Sequence, residues 1–116
     1  MSRDAAAIAA VESIVQGAEE ADEILRATVD LLAEQYEAGV GIRFVEEGAF
    51  TDGPWAGQQA RLLDVLPITY NGDIVAELVV TTTLTAEARV AWERIVDLIS
   101  PYCLVGWDIG GEHWEP

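Results

Sequence analysis

The dipeptide Asn71-Gly72 lies between two apolar runs in "LPITYNGDIVAELVV", Leu66 to Val80. Both residues accept the positive φ that a two-residue hairpin turn demands, so Arg61 to Tyr70 and Asp73 to Thr82 are predicted to pair as antiparallel strands. That turn sets Thr69 opposite Ile74, Pro67 opposite Ala76, Val65 opposite Leu78 and Leu63 opposite Val80, an apolar face. The other face pairs Tyr70 with Asp73, Ile68 with Val75, Leu66 with Glu77, Asp64 with Val79 and Leu62 with Thr81, apolar at its centre and charged in two places. A sheet with one solvated side alternates between apolar and polar residues, so this hairpin is expected to be covered on both faces. Helices supply one cover. Loops, a partner or a ligand pocket must supply the other.

The helices are legible as changes of hydrophobic period. Ile8, Val11, Ile14 and Val15 recur at helical spacing between Asp4 and Gln16, and Gly17 is a natural stop. A second helix is predicted from the acidic stretch Glu19, Glu20, Asp22, Glu23, where carboxylates favour the positive helix end. It continues through Leu25, Val29, Leu32 and Tyr36 with Ile24, Thr28 and Leu31 beside them. After Gly39 the period becomes two. Val40, Ile42 and Phe44 share one side, Arg43 and Val45 the other, up to a turn at Glu46-Glu47-Gly48. "AFTDGPWAGQQ", from Ala49 to Gln59, reads as a short strand at most and then loop. Thr85 is placed to cap a last helix with Glu87 in its first turn and Ala88, Ala91, Trp92, Ile95, Leu98, Ile99 and Tyr102 following. Pro101 ends it near Ser100.

The 116 residues are the length of one domain and suffice for one core, so residues 1–116 are taken as a single unit. Acidic residues number 21 against six arginines, giving a net charge of −15. That balance repels nucleic-acid phosphates and anionic lipid headgroups, which argues against both as partners. No uncharged stretch approaches the roughly 18 apolar residues of a membrane span. "AAAIAAV" is bracketed by Asp4 and Glu12 and is followed by no cleavage pattern. Cys103 is the lone cysteine, so neither an internal disulfide nor a cysteine-rich metal site is expected, and the expected compartment is the cytoplasm.

"ADEILRATVDLLAEQYEAGVGIRFVEEG", "LPITYNGDIVAELVV" and "TAEARVAWERIVDLISPYC", in the order helix, helix, strand, hairpin, helix, resemble a GAF domain, the small sensor module of signalling proteins. The resemblance implies an α+β fold, an antiparallel β-sheet with N- and C-terminal helices packed on one face. It also implies a ligand above the sheet and homodimerisation through terminal helices. A related three-layer fold of the roadblock type shares the element order. Two departures stand out: only "TDGPWAGQQ" occupies the place of the long segment that roofs the family's pocket, and Ala76 stands where a glycine is usual.

Candidate chemistry is sparse. A methionine-sulfoxide-reducing relative resembles a multi-cysteine enzyme, and Cys103 by itself reads as a small buried hydrophobe. His113, with Glu112 and Glu115, is too sparse a donor set for a metal. "GWDIGG" lacks phosphate-loop spacing and the helix that should follow. No catalytic residue, metal or cofactor is therefore expected. The remaining candidates are ligand-binding: Arg43, Asp64 and Glu77 as convergent polar groups on an apolar floor, with Trp55 as a lid over it or else a core plug. The alternative for the charged groups is a structural ion pair, with Arg43 or Arg61 meeting Glu77. The expected function is a non-catalytic sensory or regulatory module binding a small molecule or a protein partner. The alternative is a structural homodimerisation domain with no ligand.

Overall fold

A computed structural model describes residues 2–18 and 20–104. The elements run α1 (Arg3–Gly17), α2 (Ala21–Tyr36), β1 (Val40–Glu46), β2 (Ala49–Ala56), β3 (Asp64–Tyr70), β4 (Asp73–Val80) and α3 (Ala86–Ile99), with a 3-10 turn at Ser100–Cys103. Two helix starts use a side-chain hydroxyl to satisfy an otherwise unpaired amide: Ser2 accepts from Ala5 N at 3.1 Å and Thr85 from Ala88 N at 3.0 Å. α2 begins without a side-chain cap but with Asp22 and Glu23 in its first turn. It stops at Glu37, which takes the left-handed conformation at φ 53°. Glu19, expected in the start of this helix, lies outside the described residues, as do His113, Glu112, Glu115 and "GWDIGG". α3 ends at the residue before Ser100, as the proline two positions on requires.

The four strands form one antiparallel sheet in the order β2-β1-β4-β3. Val40, Ile42, Leu66, Ile68, Ala76, Leu78 and Val80 form one core with Leu25, Val29 and Leu32 of α2 and Trp92, Ile95 and Ile99 of α3. Trp92 is fully buried and meets the Tyr36 ring edge-on, centroids 5.1 Å apart. α1 packs against α2 and α3, contributing Ala7 and Val11 to the same core. The apolar residues of α2 beyond a single stripe are used within the chain, since Ile24 and Thr28 are both buried. Among the described residues no helix is long and apolar enough to cross a membrane.

The hairpin departs from the expected register. Asn71 and Gly72 have φ of 54° and 88°, and Tyr70 pairs with Asp73 and Thr69 with Ile74 as expected. Val75 is then an extra residue: Ile68 pairs with Ala76, Pro67 with Glu77, Leu66 with Leu78 and Asp64 with Val80. A one-residue insertion in one strand reverses which side chains of the two strands share a face. The core face therefore combines Leu66 and Ile68 with Ala76, Leu78 and Val80, whereas Val65, Pro67 and Thr69 join Ile74, Glu77 and Val79 on the other. The apparent excess of apolar surface largely disappears: once the bulge is counted, one face is core and the other mixed. Two boundaries also differ. β3 starts at Asp64, so 61–63 precedes it, and β2 is a full eight-residue strand rather than a short one. β2 accommodates Pro54 because Arg43 pairs with Asp52 and Gly41 with Trp55, leaving Gly53 and Pro54 together opposite Ile42.

Candidate functional site

The sheet face turned away from the helices carries the candidate site. Arg43 and Glu77 are direct cross-strand partners on β1 and β4, and the Arg43 Nη2 donates to Glu77 Oε1. The guanidinium also stands over the Phe50 ring, 5.5 Å from its centroid. Its Nε is buried and has no acceptor among the described residues. Arg61, the other cation considered for Glu77, is exposed and does not pair with it.

Trp55 is neither in the helix-side core nor a lid hinged over open space. Its indole lies flat against the place where Gly41 and Gly39 have no side chain. A Cβ on Gly41 would come within 2.3 Å of Trp55 Cε3, and one on Gly39 within 2.6 Å of Cζ2. The indole Nε1 donates to Gly57 O at 2.9 Å, tying the ring to the turn that leaves β2. The double residue at Gly53-Pro54 turns Trp55 to the same side as Asp52 and Arg43. Together with Gln59, Ala60, Leu62 and Val79 these groups wall a cleft of about 260 Å³. Val79 is buried at its base although it is not part of the main core, so Trp55 and the 57–62 segment form a second, smaller packed layer. Further along the same face the cover ends, and Phe50 and Ile74 are about half exposed, at 48% and 49%.

Asp64 is not with this group. It shares the helix side with Leu66 and Ile68 of its own strand, while the β4 bulge carries Glu77 to the opposite face. On the helix side Asp64 accepts from Arg89 of α3 at 2.5 Å, from Leu84 N at 3.3 Å and from Val65 N at 3.1 Å. Burial opposes its ionisation, but the Arg89 and amide hydrogen bonds together outweigh burial and hold the carboxyl below its ordinary 3.8. Thus of the four residues proposed from sequence, Arg43, Trp55 and Glu77 come together and Asp64 is a joint between strand and helix. Asp52 and Gln59, which line the cleft, were not singled out. Asp52 had a signal in principle, since it follows Thr51 in the strand next to Arg43, but reading β2 as mostly loop hid the pairing.

Cys103 is fully buried, its Sγ 3.7 Å from Ile99 O, and burial pushes its thiol up to about 12. Among the described residues no group of three or more His, Cys, Asp or Glu side chains is arranged to hold a metal.

The architecture is that of a known fold. The crystal structure of the GAF domain from Acinetobacter phosphoenolpyruvate-protein phosphotransferase matches with a TM-score of 0.78, covering 96% of this chain and 99% of that one at 9% identity. At that identity the likeness concerns the fold: this chain has the GAF fold, antiparallel sheet and helices included. Neither a protein-family model nor a curated protein matches the sequence.

Proposed function

We propose that the chain is a non-catalytic sensory or regulatory module, acting in the cytoplasm, that binds a small molecule in the cleft beside Trp55. The observation that carries this reading is the construction of the open sheet face. Two glycines make room for an indole, a bulge aims it, and an Arg43–Glu77 pair lies at the edge of the resulting cleft. Small-molecule sites combine apolar walls with a few placed polar groups in this way. The Cys103 thiol, buried and with its pKa pushed up to about 12, is poorly suited to attack a substrate. A thermal-shift comparison across a metabolite panel tests it. A ligand at the cleft raises the melting temperature of the wild type and loses that effect in Glu77→Gln, since freeing Arg43 alters the polar side of the site. Compounds that stabilise both proteins equally, or none that stabilise either, count against the cleft.

A second reading, homodimerisation, is favoured by α1. Ala5, Ala9, Ser13 and Gln16 are exposed along one side of it, and the one charge beside them, Glu12, is met by Arg94 of α3. The small residues Ala5, Ala9 and Ser13 on this side allow close approach of a second copy's helix across a two-fold axis. Light scattering should give twice the chain mass for the wild type and a monomer for Ala9→Glu. A monomer at high concentration for both removes this reading and leaves the cleft untouched.

A further inference from the structure

The charges around the cleft select what it accepts. We infer that its ligand is a small planar cation, of the aromatic amidine, guanidine or amine class, held between the Trp55 ring and the Asp52 carboxylate. This rests on the cleft being a ligand site, as proposed above, and goes on to assign the chemistry. Arg43 is the cleft's only cation among the described residues, and it is already engaged by Glu77 and by the Phe50 ring. Glu77 already neutralises its charge, so an anionic ligand gains little from it. Asp52 lies directly across from Arg43 in the β1–β2 pairing and lines the cleft, yet its carboxylate has no hydrogen-bond or ion-pair partner among the described residues. With Arg43 already neutralised by Glu77, Asp52 is the one unpartnered charge among the lining residues, within a chain of net charge −15 that concentrates cations and repels anions. Trp55 completes the arrangement. Tryptophan offers the strongest π-face for a cation, and a planar one both stacks on the ring and directs its N–H groups to a carboxylate beside it.

The test uses benzamidine, its isosteric anion benzoate and neutral benzamide, read by the NMR signal of the Trp55 Nε1–H, which is assigned by its loss in Trp55→Phe. Benzamidine at millimolar concentration is expected to shift that signal, less so as salt is raised. Asp52→Asn should weaken the effect several-fold, and benzoate should leave the signal in place. Asp52 is exposed and unpaired, so the variant keeps the fold, which its unfolding curve confirms. Benzoate acting as strongly as benzamidine, or benzamidine acting equally on Asp52→Asn, overturns the cation assignment while leaving the cleft a ligand site. If no probe moves the signal, the cation assignment fails. If in addition no compound of the metabolite panel stabilises the wild type, the sensory reading fails with it.

Discussion

Asp64 gathers three donors from three parts of the chain: the next residue in β3, the loop before α3, and Arg89 within α3. Arg89 also donates to Val65 O at 3.2 Å, so one carboxylate and one guanidinium fix the angle at which α3 meets the sheet edge. The pH consequence follows from the lowered carboxyl. The unfolded chain takes up a proton near 3.8 while the folded chain resists it, so this contribution is present above that pH and is lost as pH falls through the lower folded value. Asp64→Asn should be less stable than wild type at neutral pH and lose less of its stability between about pH 5 and 2, as followed by acid titration of circular dichroism. Identical acid limbs in the two proteins would contradict the assignment. At this scale the sequence was informative where strand parity survives. Of the two cations expected to meet Glu77, Arg43 and Arg61, it is Arg43 that does so, lying directly across from it where the β1–β4 ladder is unbroken. The expected grouping of Asp64 with Glu77 fails because Val75, an ordinary strand residue, inserts in β4 between Glu77 and the turn, and nothing in its chemistry announces a bulge.

At the scale of elements, the two bulges do the positioning. One, at Val75, sends Glu77 and Val79 to the open face; the other, at Gly53-Pro54, sends Trp55 there as well. The bulges also differ in how visible they are. Gly-Pro in "TDGPWAGQQ" is a clear sign of irregularity, and the expectation of a short strand at most and then loop misses that it kinks a strand running on to Ala56. The outer edge of β3 is occupied by the chain's own groups: the Val65 N–H is taken by Asp64, the Val65 carbonyl by Arg89, and Pro67 has no N–H to offer. The cleft depends on Gly41 being without a side chain. Gly41→Ala places a methyl 2.3 Å from the Trp55 ring, a distance that a ring bound at Gly57 O and packed on Gly39 can relieve only by moving outward. The expected result is a loss of ~1–3 kcal/mol in urea unfolding, the range for overpacking, with a red-shifted Trp55 emission relative to a Trp55→Phe control. An unchanged emission would mean the indole is not seated where Gly41 requires it.

For the whole molecule, α1 is the layer held least by apolar burial. Only Ala7 and Val11 are fully buried, whereas α2 and α3 each bury six residues. What fastens its start is polar: Tyr36 Oη donates to Asp4, and Arg3 stands 4.5 Å from the centroid of the same ring. Further along, Glu12 reaches Arg94 of α3 at 3.7 Å, an exposed pair of small energetic weight. Elements with little apolar burial open at lower free energy than the global fold, so α1 should exchange its amides as a separate unit ahead of α2 and α3. Tyr36→Phe keeps the ring against Trp92 and removes the donor to Asp4. Losing a hydrogen bond to a charged group amounts to ~1.5–3 kcal/mol, so α1 amides should exchange roughly ten- to a hundredfold faster while those of β1 and β4 change little. The same hydroxyl gives a second readout. Burial first, then the hydrogen bond to Asp4, raises its pKa from 10.0 to about 12. The folded chain therefore keeps the proton where the unfolded chain has released it, and the stabilisation, complete below 10.0, is lost as pH climbs toward about 12. Wild type should show this alkaline loss and Tyr36→Phe should lack it. Acceleration spread evenly over all three helices would instead mean that α1 is part of the global cooperative unit and that the Tyr36–Asp4 contact is not what holds it.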